Sequence, residues 1–164
     1  MHIRRYQVED SQEWDNLVEK SFNGTFLHTR RYLSYHGDRF QDVSLVIEDD
    51  DHKIGAVFPA AADPGIPDRV MSHPGITYGG IVHAGFLQGS KMVEALQAIC
   101  EIYRKESFHT LRYKSIPHIY HHVPCSDDLY ALFRLGARHY RCDLSATLDL
   151  ESKINLVSLV VREV

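Results

Sequence analysis

The chain has 164 residues, of which 44% are hydrophobic and 24% charged, and a formal net charge of -4. That length and average composition predict one folded domain with a core large enough to need neither metal nor disulfide staples. Twenty-two acidic against eighteen basic residues exclude the charge signature of a dedicated DNA binder or a polybasic membrane anchor.

Three widely spaced cysteines, Cys100, Cys125 and Cys142, form neither a disulfide framework nor a zinc knuckle, so a reduced cytoplasm is expected, with Cys100 and Cys142 acting as small hydrophobes. Met1 to Tyr6 carries two arginines but no apolar stretch after them, so it does not read as a signal peptide. The longest apolar run, Ile154 to Val161, is far shorter than the roughly 20 residues of a membrane span.

In chain order, His2 to Gln7 predicts a first strand. Glu9-Asp10-Ser11 then starts a helix carrying Trp14, Leu17, Val18 and Phe22, for which Asn23-Gly24 fits a left-handed stop. Thr25 predicts a second helix, with Phe26, Arg30 and Leu33 on one face, ending at Gly37. Val43 to Ile47 and Ile54 to Ala60 predict a hairpin whose tip is Glu48-Asp49-Asp50-Asp51-His52-Lys53. That tip lacks the alternating oxygen ligands and the glycine of a calcium loop and reads as a solvated turn.

Ala61 to Gly80 is rich in Pro and Gly and predicts mostly loop, with a short strand at Ile76 to Val82. A loop of this length in a compact domain is where a site is first sought. From Ser90, a stripe of Met92, Val93, Leu96, Ile99, Cys100 and Tyr103 predicts the best helix. A strand follows at His109 to Lys114, then a histidine-rich loop, then a helix capped by Ser126-Asp127-Asp128 and stopped by Gly136. Arg138 to Leu150 predicts one or two strands. The expected class is therefore a mixed α/β (α+β) sheet, mostly antiparallel and flanked by helices.

Three stretches carry chemistry. Gln88-Gly89-Ser90-Lys91 opens the strongest helix, where free N–H groups and the positive dipole end suit a phosphate; the plainer reading is a glycine turn with a serine cap. Ser72 to Gly80 places His73 and Tyr78 among glycines that would let a ligand approach the backbone. His73 fits a base near neutral pH and Tyr78 an acid, or both are a turn and a core filler. Ser115, His118 and His121 follow a strand end and suit a polar cleft wall, whereas no carboxylate or cysteine stands at a spacing that would make the histidines a metal site. Gly-x-Ser-x-Gly, Walker and dinucleotide fingerprints are missing.

Together, Asn23-Gly24-Thr25-Phe26-Leu27-His28 running on to Tyr35-His36-Gly37-Asp38-Arg39-Phe40, the Ser72 to Gly80 motif, and Lys114 to His121 resemble GNAT-like proteins of the FemAB type, in particular their amino-terminal half. The resemblance spans about Tyr6 to Leu150. It implies a sheet that splays after its fourth strand, with an acyl-CoA pyrophosphate at Gln88, Gly89, Ser90 and Lys91. Asn23, His28, Gly79, Gly80, Ser115 and His121 are the expected substrate contacts, and His73, Tyr78 and His118 the catalytic candidates. Neither a metal nor DNA is implied. The donor is an acyl-CoA or an aminoacyl ester, tRNA included, the acceptor is a small amine, and the setting is cell-envelope or surface-polysaccharide synthesis. The alternative is a GNAT-like binding or assembly domain without a working donor site. Residues 1–150 are expected to form the domain, and 151–164 an apolar tail that mediates a homodimer or leads into a second half.

Overall fold

A computed structural model describes residues 1–143. The strand expected to end at Leu150 and the tail 151–164 fall mostly or wholly outside the described residues. Among the described residues there are seven strands, β1 (His2–Arg5), β2 (Leu45–Glu48), β3 (Ile54–Phe58), β4 (Ala61–Ala62), β5 (Arg69–Met71), β6 (Val82–His83) and β7 (Thr110–Arg112), and four helices, α1 (Ser11–Lys20), α2 (Arg30–Leu33), α3 (Ser90–Lys105) and α4 (Asp127–Arg134).

The antiparallel run β1-β2-β3-β6 forms one sheet and β4-β5-β7 a second, in which β5 and β7 are parallel. Only Pro59 and Ala60 separate β3 from β4, so β5 and β6 lie end to end against a single strand path. They are two parts of one interrupted strand, from which residues 72–81 loop out. The Ala61 to Gly80 stretch thus holds two strands the sequence does not announce. Their side of the ladder is written in Ala61-Ala62 and Arg69-Val70-Met71, which are too short to show a period.

The β2 sequence Leu-Val-Ile-Glu is buried on both faces, as a strand covered on both sides must be. Leu45, Ile47, Ala56 and Phe58 pack with Met92, Leu96, Ile99 and Tyr103 of α3. On the other face, Val46, Val57 and Val82 pack with Trp14 and Val18 of α1. Alternation with period two therefore divides the strand residues between two helical layers. The buried stripe of α3 contains Ala95 where the sequence reading placed Cys100, and Cys100 is exposed, as is Cys142. The 95/96, 99, 103 spacing follows the helical repeat more closely than a stripe drawn through position 100.

Two helix expectations change. Gly24 is not a left-handed stop: α1 ends at Lys20, and the Ser21 hydroxyl accepts the Gly24 N–H at 2.8 Å. The second helix is broken into a 3-10 turn at Phe26–His28, α2, and a 3-10 stretch at Ser34–Arg39. Thr29 is extended, with its hydroxyl capping Tyr32 N–H, and Gly37 has φ 49°. The acidic tip is a turn in which the Asp49 carboxylate accepts N–H groups of Asp51 and Lys53.

Candidate functional site

The loop 72–81 and the residues that hold it make up the region to which the sequence points. Lys114, two residues beyond β7, ties the loop down at several points. Its N–H donates to Ser72 Oγ (2.7 Å), its carbonyl accepts Gly79 N–H (2.9 Å), and its Nζ donates to the carbonyls of His73 (2.7 Å) and Ile76. Burial without a carboxylate partner lowers the Lys114 pKa to about 8.

The glycines of this loop do not open the backbone to a ligand. A Cβ on Gly79 would collide with the Ser72 main chain, and one on Gly80 (φ 91°) would lie 2.7 Å from the Tyr113 oxygen. The close approach is made by the protein itself. His73, expected as a base near neutral pH, is buried at φ 52° between His36 and Phe40, with ring centroids 5.3 and 5.6 Å away. Burial first, then the neighbouring His36, lowers its pKa to about 4, so it is neutral and weakly basic at pH 7. Tyr78 donates to Thr25 Oγ1 (3.3 Å) and lies between His28 and Tyr120, stacking on the latter at 5.0 Å.

Asn23 is buried with both ends of its amide engaged: Nδ2 donates to Ile81 carbonyl (2.8 Å) and Oδ1 accepts His83 N–H (3.2 Å). It mimics a strand against β6. His28 is fully buried, accepts Thr25 N–H at Nδ1 (3.0 Å) and has no hydrogen-bond partner for Nε2 among the described residues. Burial lowers its pKa to about 4, against the pull of the Thr25 and Gly79 backbone. Both residues are built into the scaffold beneath the loop.

After β7, Ser115 is half-buried, and the chain turns through a 3-10 segment at His118–Tyr120. His118 Nε2 lies 3.2 Å from Ser126 Oγ. His121 Nε2–H donates to Ile116 carbonyl (3.2 Å), which leaves Nδ1 as the acceptor facing Cys125 Sγ at 3.5 Å. Burial, followed by Asp128 and Asp127, raises the Cys125 thiol to about 11, so it is no thiolate at neutral pH. Among the described residues no three His, Cys, Asp or Glu side chains meet in a cation-binding set.

At the start of α3, Gly89 (φ 55°) is the N-cap residue; Ser90, expected as the cap, is the first helical residue and its side chain caps nothing. Lys91 stands over the Phe86 ring at 5.2 Å and Gln88 is exposed. The Gly89 N–H is not free: it donates to the Asp127 carboxylate at 2.8 Å. Nearby, the buried Tyr113 hydroxyl accepts Ile81 N–H (2.9 Å) and donates to Asp128 (3.1 Å). Sequence reasoning passed over Tyr113 as one more strand residue and read Asp127-Asp128 as a local cap. No sequence signal links these positions, which come together only because α4 crosses the head of α3.

The strands therefore part at one place. β7 follows β5 and the chain after it touches the loop as far as Gly79, whereas among the described residues β6 pairs only with β3. Separately, an open groove of about 410 Å³ lies between the first turn of α3 and α4, lined by Gly89, Ser90, Val93, Glu94, Tyr130 and Arg134.

No family model and no curated protein sequence matches the chain. Solved structures do. A TTHA1254 mutant from Thermus thermophilus superposes with TM-score 0.55 at 14% identity, over 90% of this chain and 97% of that one. A BH1408 mutant from Bacillus halodurans gives TM-score 0.54 at 19% identity, over 90% and 99%. The aminoglycoside antibiotic 6'-N-acetyltransferase AAC(6')-IG from Acinetobacter haemolyticus gives TM-score 0.52 at 11% identity, over 92% and 100%. The fold is GNAT-like. At these identities the likeness concerns the fold alone.

Proposed function

We propose that the chain is a GNAT-type N-acyltransferase domain that carries an acyl group from an acyl-CoA, or an aminoacyl group from an ester donor such as aminoacyl-tRNA, to a small amine. The observation that carries this reading is the parting of β6 and β7, the strands that precede and follow α3, in a GNAT-like frame, with an open groove between the first turn of α3 and α4. Open α/β sheets bind ligands where neighbouring strands diverge at their carboxyl ends. The pyrophosphate or phosphate of the donor would lie at Gln88 to Lys91, and Ser115, His118 and His121 would form the acceptor wall.

Catalysis would come from positioning an amine against the carbonyl carbon, with a backbone N–H polarising the carbonyl oxygen. The amine loses a proton, the new C–N bond forms, and the thiol or alcohol of the donor leaves. Of His73, Tyr78 and His118, only His118 is exposed in the structure, and it is our candidate for the proton acceptor. FemAB-type chemistry in envelope or surface-polysaccharide synthesis is the finer form of the proposal, drawn from the motifs at Asn23 to Phe40, Ser72 to Gly80 and Lys114 to His121.

A second reading, a binding or assembly domain, is favoured by one specific feature: Asp127 and Tyr113 already occupy Gly89 N–H and Ile81 N–H. Calorimetry with CoA and acetyl-CoA, together with acyl transfer to a panel of amino-sugars and amino acids, separates the two. Binding with transfer is expected. Neither binding nor transfer, from CoA donors or from aminoacyl-tRNA, would leave the binding-domain reading in its place.

A further inference from the structure

The contact between α4 and the head of α3 is an unusual way to finish a helix. A side-chain cap would accept the N–H of the second or third helical residue, yet here the cap residue is a glycine, no side chain caps that turn, and a carboxylate from 38 positions later in the chain accepts the N–H of Gly89 itself. The Asp127 carboxyl presents an oxygen at 2.8 Å to a main-chain N–H, which is how a phosphoryl oxygen would be held. The neighbouring Asp128 engages the Ile81 N–H at the start of β6 through the Tyr113 hydroxyl.

We propose that the first turn of α4 is an intramolecular latch: Asp127 holds the main-chain donor at Gly89, Asp128 steadies that turn through its hydrogen bond from Tyr113, and an anionic acyl donor enters by displacing Asp127 from Gly89. The proposal rests on the acyl-donor reading above. Its mechanical basis is the weak anchoring of α4, which buries only Ala131 fully, while Asp127 and Asp128 are half-exposed. Helices with little buried apolar surface open at the low end of the local free-energy range. With the latch displaced, Gly89 N–H is free at the edge of a groove that also contains Arg134, a cation for the incoming anion. Ground-state closure lowers apparent donor affinity by the fraction of molecules in which the latch is open.

The test is CoA titration by calorimetry on the full chain, comparing wild type with Asp127→Ala and Glu94→Ala, alongside hydrogen exchange of the Gly89 amide. Alanine is a good helix former at the first helical position, so Asp127→Ala leaves α4 intact. Glu94 lines the same groove and carries the same charge but makes no bond to Gly89. Asp127→Ala should expose the Gly89 amide to exchange and tighten CoA binding about tenfold, roughly 1.4 kcal/mol, while Glu94→Ala stays within about twofold of wild type. Unchanged or weaker binding by Asp127→Ala overturns the latch alone. An equal gain from Glu94→Ala also overturns it, since the effect would then be general charge repulsion. Absence of CoA binding in every variant, with the Gly89 amide freed in Asp127→Ala, overturns the CoA-donor reading and the latch together.

Discussion

At the scale of single residues, this protein uses side chains in place of strands. The amide of Asn23 gives and takes one backbone hydrogen bond each with Ile81 and His83, which extends the β6 edge by one polar side chain. Asn23→Ala would leave a buried N–H and a buried carbonyl unpaired. We predict a loss of about 2–4 kcal/mol in unfolding free energy, measured by urea denaturation with an unchanged m-value. A loss below about 1 kcal/mol would mean that water replaces the amide. Asn23 illustrates what sequence shows and hides. Asn-Gly reads as a helix stop, but α1 ends before it at Lys20, and which backbone atoms the asparagine meets depends on residues 58 and 60 positions away.

At the scale of elements, the best-read segments were those whose pattern is repeated many times. α3 shows its stripe over four turns, and the β2–β3 hairpin shows two aliphatic runs around an acidic turn; both form as expected apart from Cys100. β4 and β5 were hidden because two or three residues carry no period, and the stretch expected as a second helix breaks where Thr29 caps α2 and Gly37 takes a positive φ. The Thr29 cap does have a signal, a threonine just before Arg30-Arg31-Tyr32-Leu33. α4 differs from α3 in burial rather than in pattern. It leaves Leu129, Tyr130 and Phe133 exposed, Phe133 at 79%, whereas α3 buries Met92, Ala95, Leu96, Ile99 and Tyr103. Native-state hydrogen exchange should therefore find α4 amides opening at least about tenfold more often than those in the middle of α3. Equal protection would show that α4 unfolds only with the whole domain.

At the scale of the whole molecule, the ionisable groups set a direction for stability against pH. His28 and His73 are held neutral, each with a pKa lowered to about 4 by burial, and burial lowers His83 as well. In the unfolded chain these rings protonate near 6.5. Between those values the unfolded chain binds more protons than the folded one, so stability falls as pH drops from about 6.5 toward 4. Below that, the carboxylates add to the loss. The Arg4 hydrogen bonds hold Asp10 below the ordinary carboxylate range; at Glu48 burial acts to raise the pKa, but Arg4 and His52 outweigh it and lower it. Their contribution is full above the unfolded carboxylate range and is lost as pH falls through the lowered folded values. Differential scanning calorimetry should show Tm declining from about pH 6.5 downward, with the upper part of the decline reduced when His73 is replaced by Asn. A Tm flat from about pH 6.5 to about 5 would contradict this assignment.

The one acidic domain indicated by length and composition already contained, by itself, the layers of this molecule. Apolar periods of two and 3.6 are local properties, and they are enough to select a sheet covered by helices. The glycines, the histidines and the head of α3 were also visible as a region of interest. What they touch was not, since Tyr113 meets Ile81, Lys114 spans the 72–79 loop and Asp127 accepts the Gly89 N–H only after β7 lies beside β5 and α4 crosses α3. Hydrogen bonds act over about 3 Å in space and are indifferent to sequence distance. Whether the head of α3 faces solvent or a carboxylate was therefore decided by the tertiary structure alone.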